Sequence, residues 1–399
     1  ATINLHYSLS LLPQTGYEPR LADDRVGYFV TAVKNFSRKY DTDRFVRYVN
    51  RWDLRKADPQ AELSPPKKPI IFWLEKTIPY EYRKPIREGI LEWNKAFEKA
   101  GFANAVEVRD QRPEDDFDPE DINYNTFRWI TAGAGFAMGP SRVNPITGEI
   151  LDADIIFDAD FLSYWKDEYD ILGPPRVSGA NSKSAIPEAA VLAERFHNPL
   201  ADPQEHLRCG CQLGRGMAAQ LALGSIAAEA PAKPMGREEF KKLVYQAVKS
   251  IAMHEVGHTL GLRHNFKASA YLSLDEINTP EKTKDTGLSA SIMDYLPVNF
   301  MPKGQKQGEY FSATIGPYDY WAIEYGYKPL TGNSDAELPE LKKIAARSGE
   351  PALAFATDED ARSNDPDPLV NRFDLGKDPL QFAKARHELV GQLLPGLVD

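Results

Sequence analysis

At 399 residues, 42% hydrophobic and 27% charged, the chain has the apolar material for a sizeable core and is too long for one minimal domain. Its 58 acidic residues outnumber 48 basic ones for a net charge of −10, which argues against nucleic acid or an anionic membrane surface as a partner. No apolar run approaches the roughly 18 residues that a membrane helix requires. The chain opens at Ala1 without a charged and then apolar leader, so a signal peptide, had one been made, would already be gone.

In chain order, Leu5–Leu9 and Arg47–Leu54 are compatible with strands, and Ser64-Pro65-Pro66 marks a boundary that sets off residues 1–65 as an ancillary or pro-region segment. Pro69–Leu74 reads as a buried strand. Ile86, Ile90, Trp93 and Phe97 then recur at four, three and four residues, the stripe of an amphipathic helix that ends at Gly101. Phe127–Ile130 and Ile150–Phe157 read as further strands, with a glycine-bearing stretch from Gly133 to Pro140 between them. Residues 166–240 lack strand alternation and read as a helical or loop insertion. They include Cys209 and Cys211, whose two-residue spacing closes only a small strained ring and so identifies no oxidising compartment.

A helix is expected to begin near Arg237 and to run through Leu243, Ala247 and Ile251 into His254-Glu255-Val256-Gly257-His258, followed by Thr259-Leu260-Gly261-Leu262-Arg263-His264. Positions four apart share a helix face, so His254 and His258 can present imidazole nitrogens to one metal ion. Glu255, beside the first ligand, can take a proton from a metal-activated water rather than bind the metal. Gly261 permits the left-handed backbone that ends a helix sharply, and three residues later His264 can swing back as a third ligand. Zinc held in this way lowers the pKa of its remaining water to roughly 7. A bare His-Glu-x-x-His also arises by chance on ordinary amphipathic helices, and the full eleven-residue form is far more restrictive.

This eleven-residue pattern resembles that of the metzincins, zinc endopeptidases with a methionine-containing turn downstream, here Ser291-Ile292-Met293-Asp294-Tyr295. The resemblance implies an α+β fold with a twisted mixed sheet, a backing helix and an active-site helix. It also implies that Met293 forms an apolar floor under the imidazoles and that Tyr295 stabilises the oxyanion. Within the clan the chain is most similar to the large bacterial zinc-dependent family labelled Met-zincin. The segments that carry this likeness are Trp93–Phe97, Ala100–Phe102, Gly139–Ser141, Thr147–Ile150 and Ile315–Tyr327, so residues 66–330 would be the catalytic domain. Asn265 stands where better-known metzincin groups have Glu, Asp, Ser or Pro. The likeness further implies a secreted or periplasmic setting, a protein or peptide substrate, and a substrate-binding edge strand near Gly135, Phe136 and Ala137, where an extended peptide pairs by its backbone.

Residues 331–399 read as a polar, acidic extension. Asp358-Glu359-Asp360 and Asp365, Asp367, Asn371, Asp374 and Asp378 offer oxygens that Ca2+ could use, but their spacing fits no EF-hand loop and reads as a solvated linker. Arg208-Cys209-Gly210 resembles the inhibitory cysteine switch of matrix metalloproteases only in composition, since that switch lies in an N-terminal propeptide. Two other functions stay open at this point: a latent or non-cleaving zinc module held closed by the N-terminal segment or a partner, and an amidase acting on cell-wall amides.

Overall fold

The computed structural model describes residues 7–36, 44–131, 137–158, 236–361 and 367–393, together with Gln220. Strands β1 (Val30–Lys34) and β2 (Phe45–Val49) form an antiparallel pair. A five-stranded sheet runs in the order β4 (Val106–Asp110), β3 (Ile70–Leu74), β5 (Asn125–Ile130), β9 (Ile155–Asp158) and β6 (Ala137–Met138), and β7 (Ser141–Val143) pairs with β8 (Ile150–Ala153). The contacts β4/β3, β3/β5 and β5/β9 are parallel, and only the edge strand β6 is antiparallel. A mixed sheet with helices packed on it makes the chain α+β, as expected.

The apolar stripe accounts for the backing helix. Ile86, Ile90, Trp93 and Phe97 are all fully buried. The stripe spans two helical pieces, α1 (Tyr80–Glu92) and α2 (Asn94–Lys99), which meet at Trp93, and Gly101 follows with φ +101°. The Trp93 indole donates to Met253 O at 2.9 Å, tying this junction to the next helix, α3 (Arg237–Thr259). α3 begins at the residue expected. It crosses α1 so closely that a side chain at Gly89 would bring its Cβ to 2.7 Å from Lys249 O and 2.9 Å from Ala252 Cβ.

Several expectations differ from what is found. Tyr7, Ser8 and Leu9 lie in no strand, and among the described residues no strand pairs with them to cover Leu9, which is 94% exposed. Leu5 and His6 lie outside the described residues. Ile150–Phe157 is two strands, not one. The Asp154 carboxylate accepts from Thr126 N at 2.9 Å and Thr126 Oγ at 2.6 Å, turning the chain so that β8 joins β7 and β9 joins the main sheet. β4 went unread despite its alternating Val-Glu-Val-Arg. The insertion and both cysteines lie outside the described residues, apart from Gln220 and the start of α3.

The flanking stretches share the central core. Val26, Tyr28, Val49 and Leu54 from the N-terminal side, and Leu341, Ile344, Leu353, Ala356 and Val370 from beyond residue 330, belong to one continuous apolar cluster with α1 and α3. A buried ion pair reinforces the connection: Arg20 holds both Glu337 oxygens at 2.8 Å and donates to the carbonyls of Tyr325 and Lys328.

If the α1–α3 crossing depends on the missing side chain at Gly89, then Gly89→Val should lower stability by about 1–3 kcal/mol through overpacking. A urea midpoint unchanged from wild type would contradict this.

Candidate metal centre

α3 is buried along its last three turns, so the side chains it offers are held without freedom to swing. Its end is a Schellman closure: Gly261 N donates to His258 O at 2.9 Å, Leu262 N donates to Gly257 O at 3.0 Å, and Gly261 has φ +95°. A second constraint on Gly261 could not be read from the sequence. A Cβ there would lie 2.0 Å from Asn50 O, so the N-terminal segment also requires glycine.

The three histidines converge. Their ligand atoms all lie within 4.8 Å of one another, and among the described residues theirs is the one such grouping of three or more possible ligands. His254 Nδ1 donates to Ile292 O at 2.8 Å and His258 Nδ1 to Leu262 O at 2.9 Å. His264 Nδ1 faces the Asp358 carboxylate at 2.9 and 3.1 Å. Carbonyls and carboxylates only accept, so each Nδ1 carries a hydrogen, and Nε2 is the nitrogen that each ring can offer to a metal. His258 Nε2 and His264 Nε2 lie 3.0 Å apart. Two ring nitrogens this close need a positive charge between them.

Electrostatics favour the neutral form of two of the rings. Burial, and then the neighbouring imidazoles, hold His254 well below its usual range, and burial followed by His264 brings His258 down to about 3. Neutral imidazoles with oriented Nδ1–H groups are the donor set that zinc takes, so the residues present fit the metal.

Glu255 adjoins the first of these histidines and is fully buried, and its backbone carbonyl lies under Gly139, where a Cβ would come within 2.4 Å. Met293 is buried against Gly257, with its sulfur where a Gly257 side chain would stand. The turn around it is fixed by Asp319, which accepts from Ser291 Oγ at 2.5 Å, Ile292 N at 2.9 Å and Gly316 N at 2.7 Å. Tyr295 packs edge-on against His264 at 4.6 Å between ring centres and lies 5.6 Å from His254. Ala137 is buried in β6, the sheet edge beside α3, while Gly135 and Phe136 lie outside the described residues.

Asp358 was missed, because its acidic surroundings read as a solvated linker. That reading is corrected by the contacts: Asp358 orients His264, Lys267 pairs with Asp367 at 2.7 Å, and Asp374 accepts from Ser269 Oγ at 2.9 Å. Burial works against charge on Asp358, but the hydrogen bond to His264 and the positive charges of Arg372 and Arg263 hold it down at about 2. Asn265 explains how this remote segment arrives. Its fully buried amide donates to Ala354 O at 2.9 Å and accepts from Ala356 N at 3.2 Å, docking the returning chain one residue beyond the third histidine.

The three-histidine centre fits the metzincin pattern. Residues 236–399, which carry it, match the family model described as Met-zincin. Residues 1–57 match a second model, described as a domain of unknown function. No match was found among curated proteins or among solved structures. No helix among the described residues is long and apolar enough to cross a membrane.

Two expectations follow. Asp358→Ala should weaken zinc binding by about 10- to 100-fold, the usual loss when such an outer partner of a ligating histidine is removed. Competition against a chromophoric chelator measures it, and an unchanged affinity would refute the role. The second concerns Asp294 and Asp374, joined through Ser269, whose N donates to Asp294 at 2.8 Å. Burial pushes both carboxyls up, and at Asp294 the charge of Asp374 adds to it. Unfolded, each releases its proton near the ordinary 3.8, so the folded state binds more protons above that pH and stability falls as pH rises. Asp294→Asn should flatten the decline in melting temperature between about pH 4 and 7; an equally steep decline in the variant would refute the assignment.

Proposed function

We propose that the chain is a zinc-dependent endopeptidase. The observation that supports this most directly is the convergence of three imidazoles beside a buried glutamate. Purely structural zinc sites usually close with a fourth protein ligand and have no use for a general base. Zinc, when bound by His254, His258 and His264, supplies Lewis acidity toward a peptide carbonyl and toward water. Glu255 takes the proton of the attacking water and delivers it to the leaving amine, and Tyr295 steadies the oxyanion. Met293 under Gly257 and Asp319 under the turn hold the ligand frame. The edge strand β6 lends its backbone to an extended substrate, as the resemblance implies. A secreted or periplasmic setting belongs to the same proposal and rests on that resemblance.

The test is cleavage of denatured protein by the zinc-loaded chain beside Glu255→Gln at equal zinc content. The variant should bind zinc as wild type does and lose about 10²- to 10⁴-fold in rate, the usual contribution of a general base. A wild-type protein that holds zinc and cuts nothing, or a variant that cuts as well, would overturn the reading.

A further inference from the structure

The segment matched to the domain of unknown function reaches the metal centre. Tyr28 is buried, with its hydroxyl donating to Ala322 O at 2.7 Å, and Gly27 N donates to the Tyr318 hydroxyl at 2.9 Å. On the far side Arg263 N donates to Gly27 O at 2.9 Å, and Tyr28 and Leu262 form a bridge just after α3 ends. The next residue is Phe29. Its N–H donates to Gly261 O and its carbonyl accepts from Asn50 N, both at 2.8 Å, so its backbone is locked from two directions. The phenyl ring lies 5.9 Å from the ring of His258 yet remains 41% exposed, and Val30 beside it is 44% exposed.

Exposed apolar side chains are ordinary on a protein surface. An exposed aromatic ring whose backbone is fixed on both sides and that lies against one of the three converging imidazoles is a different case, since it flanks that side of the centre. We propose that Phe29 is a substrate-contacting residue, forming an apolar wall on which a large hydrophobic side chain of the peptide packs close to the scissile bond. The N-terminal segment is then a fixed part of the cleft, not a removable cover. Its buried contacts, Tyr28 against Gly326 and Arg20 with Glu337, make it part of the same core as α3. This inference rests on the endopeptidase reading and assigns one determinant of its specificity.

The experiment compares the full zinc-loaded chain with Phe29→Ala and Phe29→Leu on a peptide library, with zinc affinity measured alongside. Phe29→Ala should cost about tenfold in kcat/KM for peptides bearing large apolar residues at one position, through KM, and should flatten the preference there. Phe29→Leu should retain most of it, and zinc affinity should stay at the wild-type value. An unchanged cleavage profile, or a loss uniform over all peptides and accompanied by loss of zinc, would overturn the proposal. Binding of the same peptides to Glu255→Gln, with and without Phe29→Ala, separates it from the reading beneath it. Phe29-dependent binding without wild-type cleavage would keep the wall and reject the peptidase, cleavage with Phe29-independent binding would do the reverse, and neither cleavage nor binding would reject both.

Discussion

Three imidazole lone pairs held a few ångströms apart are the constraint around which the rest of this chain is arranged. To hold the ligand nitrogens so close, each ring must be fixed from behind, and the three fixings come from three separate places. Ile292 O belongs to the turn that carries Met293, Leu262 O to the closure of α3, and the Asp358 carboxylate to a segment 94 residues beyond the histidine it orients. The site is therefore a long-range product of folding even though its ligands span eleven residues of sequence. A metal that binds only the folded arrangement shifts the folding equilibrium toward it, so zinc affinity and stability are coupled here.

α3 can act as the hub because other backbones are allowed unusually near it. Gly89 admits its Lys249 turn, Gly139 lies over Glu255 O, Gly257 leaves room for the Met293 sulfur, and Gly261 lies against Asn50 O. The contacts fall at different levels along the helix and its end, so helix, sheet edge and N-terminal segment are registered against it by backbone approach, and the methionine turn by the Met293 sulfur. Close packing of this kind transmits small displacements directly to the ligands.

What could be read in the sequence was what depends on local spacing. The i, i+4 histidines, the glycine that ends their helix, and the stripe of Ile86, Ile90, Trp93 and Phe97 are set by helical period, and the structure places them as that period requires. Ile70–Leu74 was legible as a strand for the analogous reason of composition and length. What escaped notice depends on partners distant in sequence. Nothing local distinguishes Asp358 from Glu359, and only the docking of the returning chain on Asn265 makes one an outer partner of His264 and leaves the other to pair with Arg263 at the surface. The division of Ile150–Phe157 hung on Asp154 meeting Thr126, again a tertiary event.

Both ends of the chain thus come to the same place. The N-terminal segment meets Gly261, Leu262 and Arg263 just past the end of α3, and the C-terminal segment meets Asn265, Phe266 and Lys267. These seven consecutive residues, 261–267, carry His264 between the two attachments. A loop so placed would otherwise be the most mobile part of a ligand set, since a backbone past a Schellman glycine has no helical hydrogen bonds to restrain it. Clamping it from both termini gives the third histidine a rigidity comparable to that which α3 gives the first two. That is a physical reason for residues 27–50 and 354–371 both to pack against the histidine segment.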